Sequence, residues 1–148
     1  MPARPNRNRT DDERPPEFEF CVVGRPVSAQ AINRGLLAAW KASVASAAAE
    51  AWSAERQLFR GDVDLRVTHY SERRIADRDN LLKPIQDALQ GVVIENDRQV
   101  KDVTSNWRDI GGRFTVRYMS IPLALAFSSG REFLHVRLWR SPHREDLG

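Results

Sequence analysis

The sequence predicts an α+β domain: a mixed β-sheet with two main helices, in the order β-α-β-α-β-β-β. Two observations carry this. Residues 17–23, 63–69 and 132–140 alternate apolar with polar or charged residues, the period of a half-buried strand. Between the first two lies an Ala-rich run whose apolar residues recur every three or four positions. A length of 148 residues, 41% hydrophobic and 29% charged, suits one core that needs no covalent staples. We expect a single domain over 17–141, a basic N-terminal arm over 1–16 too poor in apolar bulk to order, and a short tail over 142–148.

The elements follow in turn. Phe18, Phe20, Val22 and Val23 make a strand that Gly24 and Pro26 end. From Asn33 to Arg56 the residues Leu37, Trp40, Val44, Ala48 and Ala51 share one helical face. After Gly61, Val63, Leu65, Val67 and His69 alternate with Asp64, Arg66 and Thr68 as a second strand. A charged connection over 71–79 leads to a short helix over 80–90 that Gly91 stops. Pro84 is expected in that helix's first turn, where a missing N–H costs little. Residues 98–107, 113–121 and 132–140 are expected as three late strands in a meander, with Gly111-Gly112 as a turn.

Composition removes several classes. Cys21 is the single cysteine, so no disulfide forms within the chain and a reducing, cytoplasmic setting fits. One Cys and three scattered His cannot build a zinc ribbon. No run reaches 18 apolar residues, so no membrane span is expected, and the Arg- and Pro-rich start has no secretory character. Lys and Arg together number 23 against 20 Asp and Glu, a net charge of +3. Only Lys41, Lys83 and Lys101 are lysines. Arg grips phosphate with a planar fork, which suits an anionic polymer, though a GC-rich coding sequence produces the same bias.

The segment from Asp77 to Asp97 carries the chemistry. At 100° per residue, Leu82, Ile85 and Leu89 fall on one side of the short helix and Asn80, Lys83 and Asp87 on the other. Asp77 and Asp79 stand two apart before or at its start, a spacing that turns both to one side in extended chain. Two carboxylates about 4 Å apart repel by roughly 4 kcal/mol at an effective dielectric near 20. Lys83 offsets one such charge. If Asp77, Asp79 and Asp97 converge, they need a cation, and hard oxygen donors select Mg²⁺ or Mn²⁺. Simpler roles exist for each residue: Asp79 as a helix cap, Asp87 in an i, i+4 pair with Lys83, Asp97 as a turn residue beside Asn96. Spacing alone leaves both readings open.

The run Asp77-Arg-Asp79-Asn80-Leu-Leu-Lys83-Pro-Ile-Gln-Asp87-Ala-Leu, followed by Asn96-Asp97-Arg-Gln-Val, resembles the core signature of the RusA-type Holliday junction resolvases. The stretch from Phe20 through Gly24 and Pro26 to Gln30 is similar to that family's opening strand and loop. The resemblance spans roughly residues 18 to 107 and implies a homodimer that binds a four-way DNA junction and makes paired symmetric nicks with Mg²⁺ (Mn²⁺ substituting), in recombination and repair. By it the three metal-binding aspartates fall on Asp77, Asp79 and Asp97, and the essential lysine on Lys83. The family often has two acids before x-Gln-Val where this chain has Asn96-Asp97, which leaves Glu95 as the fallback ligand. Residues 107–130 form an excursion for which the resemblance has no counterpart.

The metal, once held, activates a water and neutralises the scissile phosphate. Asn80 and Asp87 are expected to steady Lys83 and the ligands. Arg73, Arg74, Arg78 and Arg98 flank the acids and are the candidates for DNA backbone contacts. His69, His135 and His143 read as strand and tail residues rather than bases. Two rivals remain at this level: a non-catalytic DNA-binding dimer, and a metal-dependent hydrolase of small nucleotides.

Overall fold

A computed structural model describes residues 15–52, 56–73, 79–112, 116 and 119–142, with the backbone but not the side chain of Asp79. Seven elements follow one another: β1 (Phe18–Val23), α1 (Arg34–Ala51), β2 (Val63–Ser71), α2 (Asp79–Leu89), β3 (Val100–Asp109), α3 (Ile121–Ser128) and β4 (Phe133–Arg140). The expected arm and tail fall mostly on 1–14 and 143–148, outside the described residues.

The four strands form one mixed sheet in the order β1-β4-β2-β3. β4 lies between β1 and β2 and is antiparallel to both. β3 pairs with β2 in parallel, from Val63↔Val100 to Ser71↔Asp109. The late strands are therefore not a meander. A parallel neighbour needs a crossover, and α2 supplies it between β2 and β3. The other correction concerns 113–121. Ile121 opens α3 instead of closing a strand, because the Ser120 hydroxyl accepts the Leu123 N–H at 3.3 Å and Pro122 sits in the first turn. Residues 113–115 and 117–118 lie outside the described residues.

Period two divides the sheet into an apolar and a polar face. Phe18, Phe20 and Val22 join Val63, Leu65, Val67, Leu134, Val136 and Leu138 in one buried cluster with Trp40, Val44 and Ala48 of α1 and Leu82, Ile85 and Leu89 of α2. Each such side chain contributes roughly 1.5–3 kcal/mol by leaving water. Asn33 caps α1, its side chain accepting the Leu36 N–H at 3.1 Å. The opposite face carries Glu19, Thr68, His135 and Arg137, and α3 covers one end of it. There Leu123 and Ala126 pack on Tyr70 and Phe133, whose rings stack at 4.8 Å. The excursion over 107–130 thus includes the end of β3 and a cover for the sheet's second face.

Pro84 lies inside α2, not in its first turn. It cannot donate to the carbonyl of Asn80 one turn earlier. The Ala29 N–H takes that carbonyl instead, at 2.9 Å. The missing helical bond thereby becomes a tie between the loop after β1 and the first turn of α2.

Candidate active site

Asp79 opens α2 at the end of the sheet where β2 finishes. Asp77, Arg74 and Arg78 lie outside the described residues, as does the Asp79 side chain. What surrounds this end is polar. Ser71 donates its hydroxyl to the Arg73 carbonyl at 2.7 Å and accepts the Trp107 indole N–H at 3.0 Å. Arg25, Glu72, Arg73 and Glu132 line a cavity of about 270 Å³ beside it. Glu132 bonds His69 at 3.0 Å and meets Arg25 at 3.6 Å. Burial holds the His69 imidazole below its ordinary pKa against the pull of Glu132, so it is neutral at pH 7. Arg73 is exposed at the rim, as a phosphate contact requires.

The polar stripe of α2 is as its period implies. Lys83 projects into solvent, and its Nζ lies 3.8 Å from Asp87 Oδ1. Asp87 also meets Lys41 of α1, at 3.3 Å. Two of the chain's three lysines therefore share one carboxylate. Lys41 is 46 positions from Asp87, and no local pattern announces the contact. Asn80 is half-buried, with its backbone carbonyl tied to Ala29.

Asp97 stands at the other end of α2. It begins a single 3₁₀ turn, Asp97–Gln99, that leads into β3. Gln99 fixes this turn with four hydrogen bonds. Its Oε1 accepts the Glu95 N–H at 2.7 Å and the Asn96 N–H at 3.0 Å; its Nε2 donates to the carbonyls of Phe59 at 2.6 Å and Gly61 at 2.9 Å. Asn96 adds a cap, accepting the Arg98 N–H at 2.8 Å. So the Gln of the x-Gln-Val motif is a buried clamp between the turn and the chain that enters β2. Its partners Phe59 and Gly61 lie 40 and 38 positions away, so no local pattern in the sequence announces this role. Asp97 and Arg98 are exposed, and the Asp97 carboxylate engages no described residue. Glu95 is exposed one residue before the cap.

The structure thus joins Lys83 to Asp87 and separates Asp97 from the start of α2. Eleven helical residues rise about 15 Å. The paired span from Val63 to Ser71 runs about 26 Å. Among the described residues, no three His, Cys, Asp or Glu side chains gather to hold a metal.

The polar end of the mixed sheet, with Arg25 and Arg73 beside Glu72 and Glu132, presents cations that can meet phosphate. Residues 24–118 match the family of the endodeoxyribonuclease RusA, so the chain belongs to that family. It is accordingly an endonuclease of the Holliday junction resolvase kind, acting on branched DNA and metal-dependent as that family is. No curated protein matches the chain. No helix among the described residues is long and apolar enough to cross a membrane.

Proposed function

We propose that this chain resolves four-way DNA junctions by paired symmetric nicks as a Mg²⁺-dependent homodimer, in DNA recombination and repair in the cytoplasm. One observation carries the reading. All four residues proposed for chemistry, Asp77, Asp79, Lys83 and Asp97, fall inside the matched residues 24–118.

The donor set fits the metal. Carboxylate oxygens are the ligands Mg²⁺ and Mn²⁺ prefer, and Mg²⁺ binds through few of them while keeping waters. Asp97 offers a carboxylate that no described residue occupies, on a turn that a buried Gln99 holds still. Asp77, Asp79 and Asp97 would hold the ion. Bound there, it supplies an acidified water and charge neutralisation at the scissile phosphate. Lys83 contributes a cation beside the phosphate, and Asp87 steadies it from 3.8 Å. Arg73, Arg74, Arg78 and Arg98 would grip the DNA backbone, which sets position rather than sequence. A two-fold dimer presents two equal sites to the two equal strands of a junction.

The test is nicking of a synthetic four-way junction with Mg²⁺ and with chelator. The wild type should cut only with Mg²⁺ or Mn²⁺. Asp79→Asn should bind the junction and leave it intact. Junction binding without cutting in either metal would refute the proposal.

A further inference from the structure

Three strand ends meet at the cavity beside Ser71. The register pairs Val23 with Phe133 and Phe133 with Tyr70, so β1 finishes, β4 starts and β2 finishes in one row across the sheet. Arg25 follows that row on the β1 side and Arg73 follows it on the β2 side, while Glu132 precedes it on the central strand β4. Two strand spacings, about 10 Å, separate the β1 and β2 backbones. All three residues line the same cavity of about 270 Å³. We propose that Arg25 is a further DNA contact of this enzyme: its guanidinium, oriented by Glu132, binds a backbone phosphate of the junction in this cavity, opposite Arg73. This rests on the function proposed above.

Arg25 is held in a way that leaves its donors for a ligand. The Gly24 N–H bonds the Glu132 carbonyl at 2.9 Å, and Gly24 has a φ of +136°, a conformation that an L side chain rarely adopts. The chain therefore leaves β1 in a fixed direction. Glu132 is steadied from the other side, where the buried, neutral His69 bonds its Oε2 at 3.0 Å. Its Oε1 faces Arg25 at 3.6 Å, an ion pair too long for a hydrogen bond. Among the described residues the Arg25 guanidinium donates to nothing, and its side chain is 58% exposed. An ion pair so exposed adds little stability. A planar fork with unspent donors is what grips a phosphate. The two arginines balance Glu72 and Glu132, so the cavity suits a phosphodiester with its single charge better than a free nucleotide with two or more. Its volume also lies below the roughly 300–1,000 Å³ of pockets that enclose whole small molecules.

The salt dependence of junction binding, measured in chelator, tests it. Each neutralised phosphate contributes about 0.9 to the slope of log K against log salt concentration. Arg25→Ala should lower that slope by about 0.9 and weaken binding roughly tenfold at low salt, alike for junctions of different sequence. Arg25→Gln, which keeps the length of the side chain and removes its charge, should lose the same slope. Arg25→Lys should keep the slope and lose less affinity, because the charge stays and the fork goes. A purely structural Arg25 would leave the slope untouched in all three variants. Folded Arg25→Ala or Arg25→Gln protein, with the urea midpoint of the wild type and an unchanged slope, overturns the inference. So does a loss confined to one junction sequence, the mark of a base contact. In either case wild-type cutting still upholds the proposed function. A wild type that neither binds nor cuts junctions overturns that function, and this inference with it.

Discussion

The two ends of α2 are held in different ways. At the Asp97 end, one buried amide makes four hydrogen bonds and ties the turn to the segment that enters β2. At the Asp79 end, a proline vacates a helical carbonyl, and a distant loop amide fills it. Both ends carry a residue proposed above as a metal ligand. The contrast shows two ways a fold fixes the ends of one helix: a buried side-chain amide at one, a backbone amide from a distant loop at the other.

The largest effect should come from the ligands. Asp79→Asn and Asp97→Asn should each lower junction nicking on the order of a thousandfold, the scale of losing a preorganised charge at a phosphoryl centre. Equal losses from both ends would bind the two ends into one site. A mild loss from Asp97→Asn would transfer its role to Glu95. Lys83→Ala should follow at about a hundredfold, whereas Lys41→Ala should stay within roughly threefold, since its contact with Asp87 is an ordinary partly exposed pair.

Gln99→Leu should act on stability first. It strands two backbone carbonyls and two amides, at a cost of roughly 2–4 kcal/mol, read as a fall in the urea midpoint. Ser28→Ala should leave that midpoint nearly unchanged, because its contact is exposed.

Acid should loosen the other end. Burial lowers the pKa of His69 below the ordinary 6.5 despite its bond to Glu132. Above 6.5 the folded and unfolded forms are both neutral there, and stability does not respond to pH through this group. As pH falls below 6.5, the unfolded chain takes up a proton that the folded chain refuses, so stability drops. His135, bonded to Glu19 and lowered chiefly by burial, adds to the same trend. Amide exchange should rise at Tyr70 and Ser71 between pH 7 and 5.5, and His69→Gln should blunt the rise. The smallest effect concerns Cys21. Burial pushes its thiol up to about 12, so it should react slowly with maleimide at pH 7.

Much of this was legible in the sequence because it is periodic. The stripe of Asn80, Lys83 and Asp87 opposite Leu82, Ile85 and Leu89 follows from 100° per residue, and Trp40, Val44 and Ala48 share the buried face of α1 as their spacing implies. Local chemistry misled where two rules competed. Pro84 read as a first-turn residue because its remedy, the Ala29 amide, lies 55 positions away. Ile121 reads in sequence as the close of a strand because the β-branched and aromatic residues before it outweigh the cap signal of Ser120. Contacts between distant segments, such as Lys41 with Asp87 or Gln99 with Phe59, leave no period at all. Nor does strand order, which is why the meander gave way to a parallel β2–β3 pair.

Binding of Mn²⁺ to a double-mutant cycle tests the central claim most directly. Affinity would be measured for the wild type, Asp79→Asn, Asp97→Asn and the double variant, without DNA. If both carboxylates hold the same ion, either substitution should remove tight binding and the double should lose little more than one alone. Independent losses that add, or tight binding untouched by Asp97→Asn, would show that the two ends of α2 never meet at one metal.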